Sequence, residues 1–75
     1  MSERLLDVTG LPPPEPAERV RAVLAALPAG DRLRVLLDRE PVLLYPWLAE
    51  HDFEWQGRAG PGPVFEVVIW RAPPS

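Results

Sequence analysis

Gly10-Leu11-Pro12-Pro13-Pro14-Glu15-Pro16 is the stretch on which the reading of this chain turns. Three consecutive prolines fix φ near −65° and carry no backbone N–H, so they continue neither a central strand nor a helix interior. Pro16 suits a first helical turn, where an N–H has no partner to lose. The segment therefore parts a strand from a helix. Upstream, Leu5-Leu6-Asp7-Val8 reads as a short strand ended by Thr9-Gly10. Downstream, Val20, Val23, Leu24 and Leu27 recur at i, i+3, i+4 and i+7, with Glu18, Arg19 and Arg21 on the other side. This spacing predicts an amphipathic helix over Glu15–Leu27. Glu15 and Glu18 lie near the positive end of its dipole, and Pro28-Ala29-Gly30-Asp31 stops it.

The pattern then repeats. Arg32–Leu37 alternates as a strand, with Leu33, Val35 and Leu37 on one face and Arg32, Arg34 and Leu36 on the other. Asp38-Arg39-Glu40-Pro41 turns into a second helix, with Asp38 or Arg39 near its cap and Pro41 in its first turn. Leu44, Trp47, Leu48 and His51 fall on one helical face. Pro46 breaks a hydrogen bond if it lies in the helix interior. Either the helix kinks there or its regular part begins near Tyr45, after an irregular first turn. Phe53–Gln56 is a third strand, Gly57–Pro63 a turn with three glycines and two prolines, and Val64–Arg71 the last strand. In that strand Phe65, Val67 and Ile69 oppose Val64, Glu66, Val68 and Trp70. Residues 72–75 form a tail on a single domain, residues 1–75, with its core in 5–71.

The order β-α-β-α-β-β predicts an α+β, two-layer sandwich: a four-stranded mixed sheet with two helices on one face and the other face open. Right-handed crossovers place both helices on the same side provided the strands do not reverse direction across the sheet.

Composition sets bounds. The 75 residues suffice for one small core. No apolar run nears the roughly 18 residues of a membrane span. The acids within Met1–Asp7 do not suit a secretory signal, so a cytoplasmic location is expected. There is no cysteine, which removes disulfides, thiolate chemistry and Cys-ligated metals. The net charge is −3 and every basic residue is Arg. The absence of Lys and Asn, with 11 prolines, suits a heat-adapted source or a GC-rich genome equally.

Leu6-Asp7, Gly10-Leu11, Pro13-Pro14-Glu15-Pro16 and Gly30-Asp31-Arg32-Leu33 together resemble the TusA/SirA-like sulfur carriers, which have a Cys-Pro-x-Pro motif at this helix start. More closely, "LPPPEP", "LPAGDRL" and Asp38–Pro41 before "LLYPWL" resemble the bacterial domain-of-unknown-function family 2249. The resemblance runs from about Leu5 to Arg71 and implies the sulfur-carrier fold. It implies no agreed activity; some such relatives adjoin hemerythrin-like or nitrogen-oxide-related proteins, which implies a redox or metabolic setting only. Pro13 stands where the sulfur carriers have cysteine. Their chemistry needs a thiolate at a helix N-terminus, so Pro13, Pro14, Glu15 and Pro16 remain as the frame of the motif without its reactive atom. Relatives often show His-Asp-Pro where this chain has Arg39-Glu40-Pro41, and a role for that histidine does not carry over.

Several residue groups weigh a functional reading against a structural one. Pro12, Pro13, Pro14 and Pro16 are either a docking edge or a rigid frame for the strand-to-helix turn; the frame is favoured. Glu50-His51-Asp52 holds the one histidine, but neighbours on a helix point about 100° apart and cannot jointly chelate. Asp7, Asp38 and Glu40 would sit beside the helix starts, as helix caps in preference to a cation site or base. Arg32, Arg34 and Arg39 could attract phosphate, but cross-strand pairing with Glu54 and Glu66 is simpler, so no nucleic-acid partner is expected. Leu36, Val68 and Trp70 would share the uncovered sheet face with Arg34 and Glu66.

These readings favour a non-enzymatic accessory or protein-binding domain. A protein partner or a second copy would meet the open sheet face through Leu36, Val68 and Trp70, with Arg34 and Glu66 around them. No catalytic, cofactor or metal site is expected. The alternative is a module for a small ligand or metal, built at the helix starts from Asp7, Asp38, Arg39 and Glu40.

Overall fold

The computed structural model describes residues 2–60 and 62–73. Met1, Pro61 of the glycine-rich turn, and Pro74 and Ser75 of the tail lie outside the described residues. The elements are β1 (Glu3–Asp7), α1 (Glu15–Ala25), β2 (Arg32–Leu37), α2 (Leu44–Glu50), β3 (Phe53–Ala59) and β4 (Phe65–Arg71). They form one four-stranded mixed sheet in the order β1-β2-β4-β3. β1 is parallel to β2, while β4 is antiparallel to both β2 and β3. The crossovers β1-α1-β2 and β2-α2-β3 thus advance the same way, which brings both helices to one face, as expected. Val20 and Leu24 of α1 and Leu44 and Leu48 of α2 meet Leu33, Val35, Val67 and Ile69 of the sheet in a single core.

β1 starts and ends one to two residues earlier than the expected Leu5–Val8. Parallel pairing with β2 draws Glu3 opposite Arg32 and Arg4 opposite Leu33. Val8 still donates its N–H to Leu36 O at 3.0 Å and is fully buried. α1 ends at Ala25 rather than Leu27, because Ala26 and Leu27 close tighter i→i−3 bonds to Val23 and Leu24. Gly30 has φ +90°, a conformation that favours glycine, and so lets the chain reverse into β2.

Two expectations about α2 need correction. Neither Asp38 nor Arg39 caps it, and Pro41 lies outside it: the N-cap is Leu43, with no side-chain capping bond. Pro46 is the cause. As the third helical residue it sits where N–H groups have no intrahelical partner, so the helix that begins at Leu44 loses no bond to it. β3 is also longer than Phe53–Gln56. Gly57, Arg58 and Ala59 pair with Val67, Glu66 and Phe65 instead of turning. A Cβ on Gly57 would lie 2.9 Å from the Phe65 ring, so glycine there admits an aromatic cover rather than a bend. The turn proper is closed by Gly60 N–H to Val64 O at 2.8 Å.

Candidate functional site

The loop after β1 is built by its own side chains. Asp7 accepts hydrogen bonds from the Thr9 N–H at 2.9 Å and the Thr9 hydroxyl at 2.6 Å. That hydroxyl, then the N–H, hold the Asp7 carboxyl below the usual range. Gly10, at φ +81°, turns its N–H to Asp38 Oδ2 at 2.8 Å. This bond ties the proline loop to the loop after β2. Glu40 accepts the Tyr45 hydroxyl at 3.1 Å, and Tyr45 stacks on Trp55 at 5.2 Å. Burial first, and Glu40 second, push the Tyr45 hydroxyl up to about 12, so it remains a donor. Asp7, Asp38 and Glu40 thus fasten loops; none makes the helix-capping bond expected of it, since the N-cap of α1 is Pro14 and bears no side-chain bond.

Between the two fastened loops lies a groove of about 400 Å3. Val8, Leu11 and Leu37 line it from the core side, Pro13 from the proline loop, Pro16 from α1, and Leu44 from α2. Asp38, Arg39 and Glu40 reach it as well, whereas Asp7 does not. Val42 and Leu43 form its lip and are 57% and 91% exposed. The structure therefore brings together most of the motif frame and three of the four residues expected at the helix starts. The lip itself is not foreseen by the sequence reading. Its trace in the sequence is the run Val42-Leu43-Leu44, three apolar residues of which a helix can bury only the last.

The chemistry of the groove is set by what its backbone lacks. Of residues 12–17 only Glu15 and Ala17 carry an N–H, and that of Glu15 is given to Pro12 O. Pro13 has neither nucleophile nor donor. Among the described residues no three His, Cys, Asp or Glu side chains are grouped to hold a metal ion. His51 lies at the far end of α2, stacked on Trp47 at 4.1 Å with Nδ1 2.8 Å from Trp47 O.

The open sheet face carries Leu36, Val68 and Trp70, each half-buried, beside Leu5, 65% exposed. It is braced by charge. Glu66, only 6% exposed, binds Arg34 at 2.9 Å and Arg58 at 2.7 Å, and Arg34 also binds Glu3. The Arg58 and Arg34 hydrogen bonds hold the Glu66 carboxyl below its ordinary range. Trp70 donates its indole N–H to Glu54 at 2.9 Å and lies under Arg32. Glu54 therefore pairs with Trp70 rather than with an arginine, while the Arg34–Glu66 pair forms as anticipated.

Residues 5–71 match domain-of-unknown-function family 2249, described as an uncharacterized conserved protein. The chain belongs to that family. Among solved structures, the SirA-like protein of Desulfitobacterium hafniense is similar to it, with a TM-score of 0.80 and 25% identity over 97% of this chain and 100% of the other. The fold is thus SirA-like. A search of the curated proteins finds no match. Among the described residues no helix is long and apolar enough to cross a membrane.

Proposed function

We propose that this chain is a non-enzymatic binding domain that holds an apolar group of another molecule in the groove at the entrance to α1. One observation carries the reading: an apolar hollow with a nearly fully exposed leucine, Leu43, at its lip. Leu43 gives the isolated fold almost no burial, at a solvation cost that an occupant would remove. The volume falls in the range of small-ligand sites, about 300–1,000 Å3. Proline at position 13 leaves the site without the sulfur nucleophile of the carriers that it resembles, which favours holding over transforming.

The test is an amide-shift titration with cyclohexanol and indole as probes. Shifts centred on Leu11, Ala17, Asp38 and Leu43, weakened by Leu43→Ser, are expected. Shifts confined to the sheet, or none at millimolar probe, overturn the reading.

A second reading places a protein partner, or a second copy, on the open sheet face. Leu5, Leu36, Val68 and Trp70 share that face and favour it, with Arg34 set between Leu5 and Val68 and Glu66 opposite Leu36. Four strands about 4.8 Å apart and at most seven residues long give a face of roughly 450 Å2, small for a stable dimer. Sedimentation of the wild type and Trp70→Ala decides it: association that the substitution weakens supports this reading, and a monomer in both removes the second copy.

A further inference from the structure

We infer that the occupant of the groove is an aliphatic monocarboxylate, its chain in the hollow and its carboxylate against Arg39. The inference rests on the groove being the binding site. The charged groups at the rim divide into engaged and unengaged. Asp38 accepts the Gly10 N–H, and Glu40 accepts the Tyr45 hydroxyl. Arg39 lines the same groove and, among the described residues, makes no side-chain hydrogen bond and no ion pair. Of the other guanidiniums, Arg19 pairs with Glu15, Arg34 with Glu3 and Glu66, Arg58 with Glu66, and Arg71 with backbone carbonyls, while Arg21 and Arg32 lie over Trp47 and Trp70; neither these nor Arg4 lines the groove.

The opposite wall excludes the other anion site that a helix start usually offers. Its prolines remove most of the N–H donors, and Glu15 and Glu18 add negative charge there. The loop side bears Asp38 and Glu40 too, but their carboxylates are tied back to Gly10 and Tyr45, and Arg39 is the one cationic side chain lining the groove; an anionic head is directed to it, while Leu11, Leu37 and Leu44 receive the chain. A phosphate or other compact dianion has no second cationic side chain to meet, since Arg39 alone carries positive charge among the lining residues. A guanidinium offers a carboxylate two parallel N–H donors, and the exposed Val42 and Leu43 lie one short step along the same loop to cover the methylenes.

The test uses hexanoate, octanoate and decanoate, with decanol and decylammonium as charge controls, followed by amide shifts. Dissociation constants that fall about fourfold per added methylene are expected, with decanoate preferred over decanol. Arg39→Gln should weaken decanoate at least fivefold and leave decanol unchanged. Because Arg39 is exposed and bonded to nothing described, that variant keeps the fold. Decanol binding the groove as tightly as decanoate, or Arg39→Gln having no effect, overturns the carboxylate while leaving the groove reading standing. No shift in the groove with any of the five probes overturns both.

Discussion

Arg71 joins the last strand to the end of the first helix. Its guanidinium donates to Leu27 O at 2.9 Å, beyond the helix end, and to Leu24 O at 3.3 Å, which also accepts the Leu27 N–H, and it packs 5.1 Å from the Phe53 ring centre. Arg71→Ala should therefore cost about 1–2 kcal/mol in urea denaturation, although the residue is exposed. Gly57 acts through space rather than bonding. In Gly57→Ala the new methyl meets the Phe65 ring at 2.9 Å and the Tyr45 hydroxyl at 3.1 Å, so the aromatic cover must move. The expected loss is about 1–3 kcal/mol; an unchanged midpoint would show the ring to be freely displaced. Tyr45 is the one tyrosine, so absorbance titration reads it directly. Its midpoint should fall at about 12, and Glu40→Gln should lower it while burial keeps it above 10. The folded value exceeds the unfolded one, so the associated stability is full below pH 10 and fades as pH rises toward 12.

The elements divide by how local their causes are. The alternation of Arg32–Leu37 and the i, i+3, i+4, i+7 spacing in α1 are properties of single segments, and both could be read directly from the residues. The extent of β3 could not, because Gly57 reads as a turn residue until Phe65 is seen to cover it. The start of α2 is obscured for a similar reason: Asp38 is a good cap by type, but its carboxylate is taken by Gly10, 28 residues away in sequence and adjacent in space. The groove is less local still, for it exists only where that bond draws two loops together. Asp38→Ala should loosen this junction by about 0.5–1.5 kcal/mol. It should also broaden the amide signals of Gly10 and Leu11 before those of β2; uniform behaviour would mean that the loops are held by packing alone.

At the scale of the whole molecule, stability should respond to acid through a few placed carboxylates. Asp7, Asp31 and Glu66 are all held below their ordinary range, by Thr9, by the backbone N–H of Ser2 and by Arg58 with Arg34. A depressed folded value means that their contribution is complete above the unfolded range near pH 4 and is lost as pH falls through the folded values. Glu66→Gln should flatten that acid limb and lower the midpoint at pH 7, as read by thermal melts. The strand order has a further consequence for how the chain comes into being. β4, the last strand made, fills the gap between β2 and β3, so β3 has no hydrogen-bonded neighbour until it arrives. A nascent chain emerging from the ribosome cannot close its sheet before residues 65–71 are free of the exit tunnel, so β3 must leave the tunnel ahead of the strand that secures it.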